Sequence, residues 1–363
     1  MDRLCDPRQQ FQFLSQLVLP ASSEASANRL SDIAHNLNRA EFEAVAALAA
    51  KNHVIVRAFL RLTELLRPNG STETAEWVSQ AAEQEDVRIH HALGFLDRIC
   101  TMLDKNGCPV TVIKSLDHWP DFGSDLDLYT DAEPAHLVNL MQTNVDAKVD
   151  DRSWGDRLSN KWNFVVPGLP ELVEVHIRRL GQTGEQTALT KSLLQRTRIA
   201  NVGQYSFRVL APEDRIIIST LQRMYRHFYI RLCDVVDNAG LLEFGQVDFT
   251  RLHSLGSAAG IWEGIASYLR IISGYVEKFC GGGIALPTLV TASAKFGVEQ
   301  VYYRRNFLRV PILPHSVNLY GGELRELVMR GDVRNSLRLS LLPGLATAAA
   351  LELKLTGSDK GIW

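Results

Sequence analysis

The spacing of hydrophobic residues changes twice along this chain, near Pro109 and near Pro212, and these changes limit the folds it can adopt. Before Pro109, apolar residues recur every three or four positions, as in RAEFEAVAALAAKNHVIVRAFLRLTELL, which predicts helices. Between the two prolines, short β-branched runs predict strands. After Pro212 the helical spacing returns. The sequence therefore predicts an α+β protein with a small mixed sheet between two helical parts.

This pattern divides the chain into three regions. We expect an N-terminal helical region over residues 1–106, an α/β core over 107–211 and a C-terminal helical domain over 212–363. The first region is predicted to end in one long helix, from Glu73 to Lys105, closed by Asn106-Gly107. The predicted strands of the core are PVTVI, SDLDLYT, KWNFVV, ELVEVHIRR and YSFRVL.

Composition limits the partners and the compartment. The 363 residues carry a formal charge of -2, so no overall field draws the protein to nucleic acid or to anionic lipid. Its 5 cysteines are scattered without a CxxC pair, which argues against a disulfide framework and a zinc site. The charged first residues and the lack of an apolar run of about 18 residues indicate no signal peptide and no membrane span. We therefore expect a cytoplasmic protein.

Two acidic residues stand in the apolar strand SDLDLYT. Because alternate residues of a strand share a face, Asp125 and Asp127 point to one side and Leu126 and Leu128 to the other. Carboxylates held this close repel unless a proton or a cation lies between them, and a divalent metal is the usual solution. The alternative is an edge strand with a solvated acidic face.

Two further segments favour a binding site. VIKS ends an apolar strand ten residues before Asp125, where Lys114, the Ser115 hydroxyl and nearby backbone amides could hold phosphate oxygens. In LVEVHI, Glu174 and His176 share one strand face. Each segment also has a structural interpretation, since Ser115 could cap a helix and Glu174 could pair with Arg178.

These motifs, in this order, resemble the DNA-polymerase-beta-like nucleotidyltransferase superfamily. Its pattern is an apolar strand ending in Gly-Gly or Gly-Ser, then Asp-x-Asp about ten residues later, then a third carboxylate on a later strand. More narrowly, the chain is similar to a bacterial group described only as uncharacterised nucleotidyltransferases. The motifs that carry this resemblance lie between Asn38 and Leu242 and read NGCPVTVIKS, SDLDLYT, VEVHIRR and LAPEDRIIISTLQRMYRH.

The resemblance implies a fold of the nucleotidyltransferase type and a metal-dependent reaction. Asp125 and Asp127 would hold two Mg²⁺ ions, or Mn²⁺, and Glu174 would complete the metal site or accept the proton of the acceptor. A nucleoside monophosphate would pass from an NTP to the hydroxyl of a small molecule, a peptide or an RNA, with release of pyrophosphate. Lys114, Ser115, Ser124 and His176 would contact the nucleotide.

The chain departs from the group in two places. Ser115 stands where the group usually has glycine, and DFGS precedes the aspartates where relatives often carry an arginine. Lys161, Arg178 or Arg179 could replace that arginine.

Two basic segments lie outside the core motifs. One basic segment has Arg223, His227 and Arg231 at every fourth position, which predicts that they share one face of a helix. This face is either solvated or turned toward the active-site cleft. In the second case, Arg223 and Arg231 would contact the nucleotide. VYYRRNFLRV interleaves three aromatic residues with three arginines and could stack on RNA. The favoured interpretation of this second segment is an edge with its basic residues outward, so nucleic acid is not the favoured partner.

Three classes of function remain open at this stage. The first is the nucleotidyltransferase, with an NTP and an unidentified acceptor as partners. The second is a glycosyltransferase that uses Asp-x-Asp and a nucleotide sugar, and would not require the Lys114-Ser115 turn or Glu174. The third is a nucleotide-binding module that has lost turnover.

Overall fold

A computed structural model describes residue 4 and residues 6–19, 23–67, 72–190 and 193–356 of the chain. It is a mixed α and β structure, as the change of hydrophobic spacing predicts, and a seven-stranded sheet lies among helices from both ends of the chain. The helices are α1 (Pro7–Val18), α2 (Glu24–His35), α3 (Arg39–Lys51), α4 (Ile55–Leu66), α5 (Thr72–Lys105), α6 (Pro134–Val145), α7 (Trp154–Ser159), α8 (Thr187–Thr190), α9 (Pro212–Thr220), α10 (Leu232–Glu243), α11 (Phe249–Ala259), α12 (Trp262–Cys280), α13 (Thr288–Ser293), α14 (Val317–Met329), α15 (Val333–Ser340) and α16 (Leu342–Thr356).

The long helix α5 confirms the helix predicted from Glu73 to Lys105. Its end is a Schellman motif, in which Gly107 takes a φ of +73° and the Cys108 amide donates to the Leu103 carbonyl at 2.9 Å. Glycine has no Cβ to oppose this left-handed conformation, which explains why the helix stops there.

In the described part of the chain, ten strands form two sheets. Seven of them pair in the order β3-β4-β5-β2-β1-β7-β6, and the other three form a separate small sheet in the order β8-β10-β9. The strands are β1 (Thr111–Val112), β2 (Asp125–Thr130), β3 (Lys148–Val149), β4 (Lys161–Val165), β5 (Leu172–Ile177), β6 (Thr197–Val202), β7 (Tyr205–Leu210), β8 (Tyr229–Ile230), β9 (Tyr302–Arg304) and β10 (Phe307–Arg309).

The large sheet separates two hydrophobic cores. Leu126 and Leu128 of β2 belong to the core that includes α5 and α6, on one face of the sheet. Tyr129 belongs to the other core, with Ile217 of α9 and residues of the N-terminal and C-terminal helices. Asp125 and Asp127 alternate with the leucines, so they lie on the face of the sheet that is covered by α9 and the segment after it.

The segment after α9 is not the continuous helix that the four-residue spacing predicts, and that prediction is wrong. A π-helix runs from Leu221 to His227, Phe228 takes a φ of +53°, β8 follows, and a new helix begins at Leu232. Arg231 precedes α10, so it does not share a helix face with Arg223 and His227. The cause is tertiary, because β8 pairs with β10 and the chain must leave the helix to reach it.

Two other sequence expectations can be compared with the structure. In the described ranges, no helix is both long and apolar enough to cross a lipid bilayer. The thiols of Cys100, Cys108, Cys233 and Cys280 are free, and Cys5 lies outside the described residues.

Candidate functional site

The register of the central strands brings acidic residues together. Strand β2 pairs in parallel with β5, and Asp127 lies directly opposite Glu174. On the other side of β5, Lys161 of β4 lies opposite His176. Because directly paired residues point to the same face of a sheet, these four side chains converge, and Asp125 joins them two residues before Asp127.

The Glu174 carboxylate is the centre of this cluster. Its Oε1 accepts a hydrogen bond from His176 Nε2 at 2.8 Å and lies 3.3 Å from Lys114 Nζ. Its Oε2 lies 2.9 Å from Lys161 Nζ, which is also 2.8 Å from an Asp156 carboxylate oxygen. The Lys114 ammonium also contacts Asp127 Oδ1. The positive charge of Lys114 therefore lies between the carboxylates of two adjacent strands.

Burial and charge give the two opposed carboxylates different proton affinities. Burial raises the pKa of Asp127 to about 7, although the charge of Lys114 opposes that rise. Burial also acts to raise the pKa of Glu174, but Lys114, the hydrogen bond from His176 and Lys161 outweigh it and hold that pKa well below its ordinary value. Glu174 is thus the ionised member of the pair, and Asp127 is the one that takes up a proton more readily.

The other two titrating groups follow the same logic. The pKa of Asp125 is raised, first by burial and then by the charge of Glu174. Burial lowers the pKa of His176 to about 4, against the effect of Glu174, so the imidazole is neutral at neutral pH. Its Nδ1 is buried and has no hydrogen-bond partner in the described part of the chain.

The turn at Lys114 and Ser115 fixes the start of β2. Lys114 takes a φ of +62°, and the Ser115 amide donates to the Ile113 carbonyl at 2.7 Å, which closes a γ-turn. The Ser115 hydroxyl accepts from the Asp127 amide at 2.7 Å and donates to the Asp125 carbonyl at 3.0 Å. Ser115 is therefore a buried brace between the turn and the acidic strand, and it does not cap a helix.

The cluster borders a cleft between the sheet and the π-helix. Lys114 and His176 line one side, and Gln222, Tyr225 and Arg226 line the other. Arg226 makes no ion pair with any carboxylate of the described residues. Asp125, Asp127 and Glu174 are not themselves among the residues that line the cleft, so the acidic cluster meets it through Lys114 and His176, and Arg226 lies on the helical wall.

The remaining predicted residues lie in different places. Ser124 is exposed and donates to Asp125 Oδ2 at 3.2 Å. Arg223 is only 1% exposed, its Nε lies 2.7 Å from Asp234 Oδ2, and it does not line the cleft. Arg231 does not line the cleft either, and its Nη1 lies 2.5 Å from His53 Nε2.

Of the three basic residues that could replace the missing arginine, Lys161 is the one that reaches the carboxylates. Arg178 donates to the Asp131 carbonyl at 2.6 Å, and Arg179 donates to the Gly184 carbonyl at 3.0 Å. Both of these side chains are used to hold loops.

Sequence reasoning missed several residues of the site, among them Asp156 and Arg226. Asp156 belongs to a capping box with Ser153 at the start of α7, and the run Ser-x-x-Asp is a signal that could have placed it at a helix start. Arg226 lies between two residues that the four-residue spacing singled out, so its position in the cleft follows only from the π-helix.

A second polar cavity of about 350 Å³ shares Lys114 and Gln222 with the cleft. His118 in its wall is held by Asp237, with Nδ1 2.5 Å from Oδ2, and its Nε2 lies 3.9 Å from the thiol of Cys233. Cys233 is fully buried, and burial raises its pKa, so the thiol is protonated and inaccessible.

The chemistry of the donors allows a test of whether the site suits a metal. Asp127, Glu174 and His176 offer ligand atoms that all lie within 4.8 Å of one another, and Asp125 lies on the same face of β2. Carboxylate oxygens are the ligands that Mg²⁺ and Mn²⁺ prefer. The ammonium of Lys114 already lies among them as a positive charge, so the residues fit a bound cation.

Comparison with known proteins adds no family. No family model matches the chain, and no curated protein sequence matches it. Only the geometry of the site therefore bears on the function.

Proposed function

We propose that this chain is a metal-dependent nucleotidyltransferase, which moves a nucleoside monophosphate from an NTP to an acceptor hydroxyl and releases pyrophosphate. The observation that carries the proposal is the register of β2 against β5, which puts Asp127 beside Glu174 with Asp125 on the same face. Lys114 and His176, which contact these carboxylates, line a cleft together with Arg226. Acidic residues on adjacent strands with cations opposite them suit a polyphosphate and its metal.

Asp125, Asp127 and Glu174 would hold Mg²⁺ or Mn²⁺. The bound metal would neutralise the triphosphate and make the acceptor hydroxyl a better nucleophile. Lys114 pairs with Asp127 and Glu174, and with a metal on these carboxylates its ammonium would be available for a phosphate oxygen. Arg226 on the opposite wall provides a second positive charge for the triphosphate.

Glu174 would complete the metal site or accept the proton of the acceptor hydroxyl. It is ionised at neutral pH, and its neighbours His176 and Lys161 hold it in place. In the reaction, the acceptor oxygen forms a bond to the α-phosphorus, the bond from this phosphorus to the pyrophosphate oxygen breaks, and the proton of the hydroxyl passes to Glu174.

The test is a transfer assay with two labels. The protein is incubated with Mg²⁺, a cell extract and NTP labelled at either the α- or the γ-phosphate. We expect the α label, and not the γ label, to appear on a new product. Transfer of the γ label would indicate a kinase, and transfer of sugar from a nucleotide sugar would indicate the glycosyltransferase.

Variants connect the activity to the carboxylates. Asp127→Asn should abolish transfer and the Mg²⁺-dependent thermal shift with NTP, whereas Glu174→Gln should slow transfer more than it weakens NTP binding. The matched control is Glu133→Gln, because Glu133 is an exposed carboxylate that pairs with Arg178. Wild-type protein that binds Mg²⁺-NTP without any turnover would support the nucleotide-binding module instead.

A further inference from the structure

The small sheet has one face that none of the predicted site residues uses. Strands β9 and β10 form a hairpin whose two turn residues, Arg305 and Asn306, have φ values of +50° and +72°, as in a type I′ turn. Strand β8, which follows the π-helix of the cleft, pairs with the other side of β10. The segment VYYRRNFLRV is therefore built into a sheet that adjoins the proposed active site.

Register assigns the side chains of this sheet to two faces. Phe307 lies opposite Arg304, and Arg309 lies opposite both Tyr302 and Tyr229, so these five residues share one face, which we call the aromatic–arginine face. The residues between them, Ile230 and Leu308, are buried.

The rings and guanidinium groups of the aromatic–arginine face are in contact. The Tyr229 and Phe307 rings stack with their centroids 4.4 Å apart, and the Arg309 guanidinium lies 5.0 Å from the Tyr229 centroid. Arg231 lies 5.8 Å from the same ring. Tyr302 is 47% exposed, so its ring is open to a partner.

The charge of this region is not neutralised. Within the described ranges of the chain, no carboxylate forms an ion pair with Arg231, Arg304, Arg305 or Arg309. The net charge of the whole protein is -2, so this positive charge is local. Burial lowers the pKa of His227 well below its ordinary value, and the nearby arginines lower it further, so the histidine adds no charge to the region.

The aromatic–arginine face is continuous with the cleft. Arg226 lines the cleft, and His227, the next residue, has its ring 5.4 Å from the Tyr229 ring. From there the stacked pair leads to Arg309 on β10. Ring contacts thus connect the wall of the cleft to the small sheet, which carries the arginines.

We propose that the aromatic–arginine face binds single-stranded nucleic acid. The exposed ring of Tyr302, the half-buried rings of Tyr229 and Phe307 and the neighbouring arginines suit a flexible strand, because bases stack on rings and phosphates pair with guanidinium groups. An acidic polypeptide would be attracted by the arginines but would make no use of the rings. The end of the bound strand would then be the acceptor in the cleft. This acceptor role rests on the proposed function, whereas the binding of the strand does not.

The experiment measures binding without catalysis. A fluorescent single-stranded oligonucleotide of about 12 nucleotides, as RNA and as DNA, is titrated with the full chain in EDTA and without NTP, and anisotropy is read at several salt concentrations. We expect binding that weakens with salt. The Arg304→Gln/Arg309→Gln double variant should reduce the slope of log K against log salt by about 1.4, since each lost phosphate contact contributes about 0.7 on a single strand.

The contributions of the Tyr302 ring and of the arginine charges are tested with separate variants. Tyr302→Ala should weaken binding by roughly 5- to 150-fold, and Tyr302→Phe should not, because stacking does not need the hydroxyl. The matched charge control is Arg98→Gln, since Arg98 is also exposed and lies 4.3 Å from an aromatic centroid, that of Phe95, but belongs to α5. Melting curves of all variants confirm that they are folded.

Three results would overturn the proposal. They are no binding by the wild type, an equal loss in Arg98→Gln, or displacement of the oligonucleotide by poly-aspartate as efficiently as by unlabelled oligonucleotide. Asp127→Asn should still bind the strand. If the strand binds but receives no α label, the proposal for the aromatic–arginine face stands. Only the role of the strand as acceptor is then ruled out.

Discussion

Replacing Arg223 tests whether this residue serves the fold or the nucleotide. Its guanidinium is 1% exposed and lies 2.7 Å from Asp234, which is itself 3% exposed. In Arg223→Met, Asp234 keeps the hydrogen bond from the Arg231 amide at 2.7 Å but loses its charged partner.

The size of the destabilisation expected for Arg223→Met follows from the burial of both Arg223 and Asp234. Removing one member of a buried ion pair leaves an uncompensated charge and costs about 3–5 kcal/mol. The free energy of unfolding should fall by that amount at neutral pH. Because Asn keeps an acceptor for the Arg231 amide and carries no charge, Arg223→Met/Asp234→Asn should recover a large part of the loss.

Urea denaturation followed by circular dichroism measures the effect, and Mg²⁺-NTP binding is measured on the same samples below their transition. Arg226→Met is the matched control, because Arg226 is in the same π-helix but lines the cleft and has no carboxylate partner in the described structure. We expect Arg226→Met to weaken NTP binding and to change stability by less than about 0.5 kcal/mol. An Arg223→Met protein as stable as the wild type, or one that is stable but has lost NTP binding, would refute the reasoning.

Three further changes test the packing around the site. Ser115→Ala leaves the buried Asp127 amide without its 2.7 Å acceptor, so the unfolding free energy in urea should fall by about 1–3 kcal/mol, and an unchanged value would contradict the bracing role. Burial raises the pKa of Asp214 from 3.8 to about 7, so this carboxyl's contribution to stability is present at acidic pH and is lost as the pH rises through that interval. Asp214→Asn should therefore flatten the pH dependence of the unfolding free energy between about pH 5 and 7, and a profile parallel to that of the wild type would be the opposing result. Gly264→Ala would put a Cβ 2.6 Å from the Tyr225 ring, and the overpacking cost of about 1–3 kcal/mol should exceed the gain in helix propensity of about 1 kcal/mol. A rise in Tm for this variant would count against the close packing of α12 on the π-helix.

The parts of the site that depend on local periodicity could be predicted. Alternation along β2 assigns Asp125 and Asp127 to one face and the leucines to the other, and the structure confirms this assignment. The end of α5 is also local, because Gly107 supplies the left-handed residue.

The parts of the site that depend on pairing between distant strands could not be predicted from the sequence. The apolar residues keep their three-to-four spacing through the π-helix, so the local sequence gives no signal that the chain leaves the helix at Phe228. The reason lies at Leu308, which pairs with Ile230. Likewise, β3 has two residues and β6 carries polar side chains on an edge, so neither has a clear strand signal. The partnership of Lys114 with Asp127 and Glu174 is visible only once β1, β2 and β5 are side by side.

The pairing of β8 with β10 also sets an order of assembly. It joins residue 230 to residue 308, so it closes a loop that contains α10, α11, α12 and α13. Contacts between such distant residues form late, because the entropy of closing the loop is lost before the pairing is gained. A growing chain that has not yet reached β9 already holds every strand of the large sheet. During synthesis, the strands that carry the acidic cluster are therefore complete before the small sheet beside the cleft exists.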